Sequence, residues 1–155
     1  MEIASIILAA GQGTRLNSAL PKPLHHIGGR PMLAWSLDAA KAAAASRVVT
    51  VLPKESDSIV AWLDGQENCI QDSPKGTGHA VKAAKEKLAD FHGVALIMFA
   101  DTPLITAKTL AALATAIIDG SDIAVLGFEA NNPEGYGRLV IGADQCLKKI
   151  VEHTD

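Results

Sequence analysis

The residues best equipped for chemistry lie close to the start of the chain. Leu8-Ala9-Ala10-Gly11-Gln12-Gly13-Thr14-Arg15 is followed by Pro21-Lys22-Pro23. The apolar run Ile3 to Leu8 stops at two small residues and two glycines, and a cation comes next. That order describes a buried strand opening into a loop whose bare backbone can lie against phosphate oxygens. Arg15 and Lys22 would add the positive charge that a triphosphate requires. Lys22 stands between two prolines, so its backbone is stiff and its ammonium is pre-positioned. A bare strand-to-helix turn with a solvated loop lysine is the plainer alternative.

Two later segments carry matching chemistry. Gln71-Asp72-Ser73-Pro74-Lys75-Gly76-Thr77-Gly78-His79 follows one strand pattern and opens a helix pattern. Either Gly76 or Thr77 can serve as the N-cap, leaving free amides toward a ligand. Gln71 offers both a donor and an acceptor, which suits the edge of a base. An ordinary capped helix start would read the same way, and His79 reads as structural rather than catalytic. Phe99-Ala100-Asp101-Thr102-Pro103-Leu104 ends a further strand. Ligands of open α/β sheets sit outside the carboxyl ends of the strands, which puts Asp101 where chemistry would occur. One carboxylate there suits Mg²⁺, which takes one or two protein carboxylates and completes its shell with phosphate oxygens. An Asp opening a turn is the alternative.

Other phosphate loops are excluded. No Gly-x-x-x-x-Gly-Lys-Ser/Thr string exists. A dinucleotide fingerprint fails at Leu16, where the third glycine is needed, and at Leu52-Pro53, where an acid should end the second strand. No Ser/His/Asp or Cys/His set is readable. The net charge of −3 and pI near 5.9 argue against a nucleic-acid partner, so an anionic ligand must be caught by a local cluster. Nothing marks a membrane partner or an export signal. Cys69 and Cys146 fit no metal or redox spacing and read as reduced packing residues of a cytoplasmic protein.

The elements that must hold these residues follow from hydrophobic patterning. Strands are predicted at Ile3 to Leu8, Val48 to Leu52, Asn68 to Gln71, Val94 to Phe99 and Ile123 to Phe128. Their continuous, β-branched character suits parallel strands covered on both faces. Helical stripes run through Leu33, Leu37, Ala40 and Ala44 behind Pro31, then Ile59 to Leu63, Ala80 to Leu88 and Leu110 to Ile117. Alternating strands and helices predict a three-layer α/β/α sandwich with a mostly parallel, Rossmann-like sheet. Leu139 to Ile141 and Leu147 to Val151, after the loop 131–137, are expected as a small hairpin at one sheet edge.

The ordered set resembles the sugar-phosphate nucleotidyltransferases over nearly the whole chain. It comprises Leu8 to Arg15, Pro21-Lys22, Gly76-Thr77-Gly78-His79-Ala80, Asp101-x-Pro103-Leu104, Gly135-Tyr136-Gly137-Arg138 and Ile150-Val151-Glu152-His153. The resemblance is strongest to members that transfer UMP from UTP to N-acetylglucosamine 1-phosphate, on the route to peptidoglycan precursors. It implies that Leu8, Ala9, Ala10, Gly11, Gly13, Arg15 and Lys22 hold the triphosphate, and that Gln71, Gly76 and Thr77 meet the uridine. It further implies that Asp101 binds Mg²⁺ and that Gly137 and Glu152 contact the sugar. Phe99-Ala100-Asp101 departs from the usual Tyr-Gly-Asp by placing a methyl near the nucleotide. The family's second metal ligand and a further sugar contact, both Asn, fall beyond residue 155. The expectation is therefore residues 1–155 as a nucleotidyltransferase domain incomplete at its C-terminus, without the family's acetyltransferase β-helix. A homo-oligomer, built in the family mainly through that second domain, is allowed. The alternatives are a same-fold transferase of molybdopterin or cytidylyl type, or a non-catalytic nucleotide-binding fragment.

Overall fold

The computed structural model of the chain describes residues 1–11, 13 and 16–152. They form two compact units, Met1–Ala124 and Val125–Asp155. Arg15 lies outside the described residues.

The first unit is built on a four-stranded parallel sheet ordered β5-β4-β1-β6. Its strands are β1 (Glu2–Leu8), β4 (Arg47–Pro53), β5 (Asn68–Gln71) and β6 (Gly93–Phe99). Between β1 and β4 come a two-residue hairpin of β2 (His26–Ile27) and β3 (Arg30–Pro31), then helix α1 (Met32–Ala42). The remaining helices are α2 (Asp57–Leu63), α3 (Thr77–Ala83) and α4 (Ala107–Ile118).

Strand alternation divides the core in two. Ile7, Leu52, Leu96 and Met98 face one side and pack with Leu33 and Leu37 of α1, Ile59 and Leu63 of α2, and Leu110 and Ala114 of α4. Ile6, Leu8, Val49 and Val51 face the other and pack with Ala80 and Ala84. The sheet is thus the middle of three layers, as the patterning implies.

Double coverage holds for β1 and β4 but fails at β6. There Ile97 is 49% exposed and Phe99 46% exposed, although Val94, Leu96 and Met98 are buried. β6 is an edge strand, and the short α3 packs over β5, β4 and β1. The expected strand Ile123 to Phe128 does not form, and Ile123, Leu126 and Phe128 are exposed. β-propensity is a local property, whereas a strand exists only when a neighbour completes its hydrogen bonds.

Two helix ends also depart from expectation. Ala44 is exposed and left-handed, with φ 60°. The chain turns there because Ala44 N–H bonds the Lys41 carbonyl and Ala45 N–H bonds the Ala40 carbonyl, so Ala43 takes the buried place. The stripe Ala80 to Leu88 splits into α3 and a single 3₁₀ turn at Glu86–Leu88.

The second unit contains β7 (Arg138–Ile141) paired antiparallel with β8 (Leu147–Val151). The two strands make a two-stranded sheet, so the expected hairpin forms. Phe128 meets Tyr136 edge-on, with ring centres 5.1 Å apart. Both cysteines are free, and Cys146 is exposed, so it is not the packing residue its isolation suggested.

Candidate active site

Because β1, β5 and β6 run parallel, their carboxyl ends open on the same edge of the sheet. A cavity of about 770 Å³ lies there. Its lining includes Leu8, Ala9, Ala10, Gly11 and Gly13 from the loop after β1, with Lys22. Gln71, Gly76 and Thr77 line it from β5 and the start of α3, and Asp101 from the turn after β6. The volume suits a nucleotide-sized ligand.

The first loop is held by backbone bonds. Ala9 N–H donates to the Val51 carbonyl at 2.9 Å, and Leu16 N–H to the Gly13 carbonyl at 2.9 Å. Gly13 has φ +59°, and a Cβ there would lie 2.8 Å from Lys22 Cβ. Only glycine tolerates both the left-handed backbone and that approach. Lys22 begins a 3₁₀ turn closed by Leu24 N–H donating to the Pro21 carbonyl at 2.9 Å. Leu24 is buried in the core cluster beneath α1, which ties the lysine's backbone to the body of the fold.

Asp101 is placed by the strand end. Ala100 N–H donates to the Leu8 carbonyl at 3.0 Å, continuing the β1–β6 ladder one residue further. The Phe99 carbonyl then accepts from the Thr102 hydroxyl at 2.9 Å and the Ser36 hydroxyl at 3.3 Å, which turns the chain. Ala100 also borders the cavity but packs into the core cluster. The Lys22 ammonium forms an ion pair with the Asp101 carboxylate, each side chain about a third exposed.

Gln71 ends β5 and is buried. Its Nε2 faces the Gly76 carbonyl at 3.4 Å and His79 Nδ1 at 3.1 Å. Gly76 is the N-cap of α3 with φ +88°, so Thr77 is the first helical residue. The His79 contact is the feature sequence reasoning missed. Its signal was spacing: a His in the first turn of a helix can reach back to the strand that precedes it.

Gly137 and Glu152 are neighbours within the second unit, where a Cβ on Gly137 would lie 3.3 Å from Glu152 Oε2. Among the described residues no cluster of three or more His, Cys, Asp or Glu could hold a metal. Likewise, no helix among them is long and apolar enough to cross a membrane.

A parallel α/β sheet whose strand ends frame a cavity edged by glycines and Lys22 is the architecture of the nucleotide-handling α/β proteins. The chain belongs to the MobA-like NTP transferase domain family, whose model matches residues 5–155. It is 46% identical over 156 residues to the bifunctional protein GlmU of Caulobacter vibrioides. It is 48% identical over 154 residues to that of Maricaulis maris. Each match covers 98% of this chain but 34% of the relative, so the chain spans about a third of their length. Among solved structures, Rv0371c of Mycobacterium tuberculosis matches with TM-score 0.65 and 21% identity, covering 75% of this chain and 60% of that one. The same protein in complex with manganese matches at TM-score 0.55 and 24% identity, covering 77% and 59%. At such identity these two structures speak for the fold. The general activity that follows from the family is nucleotidyl transfer.

Proposed function

We propose that the chain transfers UMP from UTP to N-acetylglucosamine 1-phosphate, giving UDP-N-acetylglucosamine and pyrophosphate in the cytoplasm. The observation carrying this reading is the convergence, on one cavity, of a bare glycine loop, the Lys22–Asp101 pair and the Gln71 amide. The relatives named GlmU, at 46% and 48% identity, support the choice of substrates.

A phosphate oxygen of the sugar phosphate attacks the α-phosphorus of UTP, and the bond to pyrophosphate breaks with its electron pair. Sugar phosphate is already a nucleophile, so the protein's task is positioning and charge neutralisation. Its chain neighbours apart, a Cβ on Gly11 would meet no atom of the described residues within 4 Å, which supports reading that glycine as backbone open to a ligand. Lys22 supplies a cation beside the triphosphate. Gln71 with Gly76 and Thr77 holds the uracil side. We assign Arg15 to the departing pyrophosphate, and Gly137 with Glu152 to the sugar.

Asp101 fits Mg²⁺ as a lone carboxylate donor, since such an ion draws most of its ligands from nucleotide phosphates and water. When bound, Mg²⁺ would neutralise charge on the phosphate oxygens.

Titration calorimetry of the chain with UTP, CTP, ATP and GTP in Mg²⁺ tests the base assignment. UTP should bind most tightly, and Gln71→Ala should narrow the gap by on the order of 1–3 kcal/mol. Pyrophosphate release on adding N-acetylglucosamine 1-phosphate tests the reaction. Equal affinity for all four nucleotides would overturn the uracil reading.

A further inference from the structure

We propose that His79 is a positioning residue that fixes the orientation of the Gln71 amide and so sets the preference for uracil over cytosine. This inference rests on the uracil reading proposed above.

The Gly76 carbonyl can only accept, so the Gln71 atom facing it at 3.4 Å must be the NH₂ group. That same NH₂ faces His79 Nδ1 at 3.1 Å, so Nδ1 must present its lone pair and the ring proton must sit on Nε2. Both amide hydrogens of Gln71 are then engaged by the protein. The amide oxygen takes part in no hydrogen bond among the described residues, and Gln71 lines the cavity. What Gln71 has left to offer a ligand is an acceptor.

An acceptor suits uracil, whose N3 carries a hydrogen. The same oxygen would meet a lone pair on N3 of cytosine. Offering cytosine a donor requires the amide to turn over, which sets Oε1 against the Gly76 carbonyl and the His79 Nδ1 lone pair together. His79 therefore supplies one of two locks on the amide. Its place in the first turn of α3, eight residues beyond Gln71, lets the ring reach back to the end of β5.

The experiment measures Kd for UTP and CTP by calorimetry on the full chain with Mg²⁺. Wild type should prefer UTP. His79→Ala should lower the CTP-to-UTP Kd ratio by about threefold to tenfold, the effect of one neutral hydrogen bond, chiefly by tightening CTP. His79→Phe keeps ring volume without the acceptor and should behave the same way, covering any loss of stability in the alanine variant. His79→Asn returns an acceptor near the Nδ1 position and should restore the ratio. In a Gln71→Ala background, His79→Ala should leave the ratio unchanged.

Equal weakening of UTP and CTP in His79→Ala and His79→Phe, with no rescue by Asn, would reduce His79 to a packing role and overturn the inference. An unchanged ratio in those variants, with wild type selective, would overturn it while leaving the uracil reading intact. A wild-type ratio of one would overturn both.

Discussion

The Lys22 ammonium is ion-paired with the Asp101 carboxylate across 79 residues of sequence. The pair joins the loop after β1 to the turn after β6 in the lining of one cavity. Both side chains are about a third exposed, so solvent screening limits what the pair adds to folding. Asp101→Asn should therefore cost no more than about 1 kcal/mol of stability. Mg²⁺-dependent UTP binding should fall much further, by on the order of tenfold or more. Calorimetry with and without Mg²⁺, beside a thermal melt, separates the two effects, and an unchanged Mg²⁺ requirement in a folded variant would remove Asp101 from the metal.

Gly13→Ala attacks the same site through the backbone. Its Cβ would stand 2.8 Å from Lys22 Cβ at φ +59°, so the loop or the lysine must move. A loss of about 1–2 kcal/mol in stability follows from the left-handed backbone alone. UTP affinity should fall together with it, since the displaced lysine lines the cavity. Normal UTP affinity in this variant would show that Lys22 placement does not depend on the loop.

Ala44→Gly should stabilise the protein. Ala44 is exposed and left-handed at the end of α1, so the substitution loses no packing and relieves an unfavourable conformation. Some of that relief is offset by the greater freedom of glycine in the unfolded chain. The expected gain is about 0.5–1 kcal/mol, read as a higher urea midpoint with unchanged slope. A lower midpoint would contradict it.

A pH test is available at the start of β4. Arg47 hydrogen-bonds the Asp90 carboxylate at 2.7 Å and lies 3.7 Å from Glu67. That hydrogen bond, with the guanidinium charge behind it, holds the Asp90 carboxyl below the usual carboxylate range. A carboxyl depressed in the folded state adds stability above its unfolded value of about 4, and the gain is lost as pH falls through the folded value. Asp90→Asn should thus lower Tm at neutral pH, and the gap to wild type should close in acid. A gap independent of pH would mean that the charge on Asp90 does not contribute.

The sequence by itself determined the strands whose apolar runs are bounded by turn residues. β5 spans Asn68–Gln71 and β8 spans Leu147–Val151, residue for residue as the patterning predicts. The glycine loop after β1 was also legible, because glycines beside small residues after an apolar run mark where the backbone must turn. What only tertiary structure decided depends on distant partners. Ile123 to Phe128 carries strand propensity without being a strand, since no neighbouring ladder completes it. Ile97 and Phe99 are exposed because α3 covers other strands, which no property of β6 itself reveals. The pairing of Lys22 with Asp101, and of Gln71 with His79, required the fold as well. Residue type names the donors and acceptors available, but their direction is set by backbone turns at Pro21, Phe99 and Gly76, each held by hydrogen bonds.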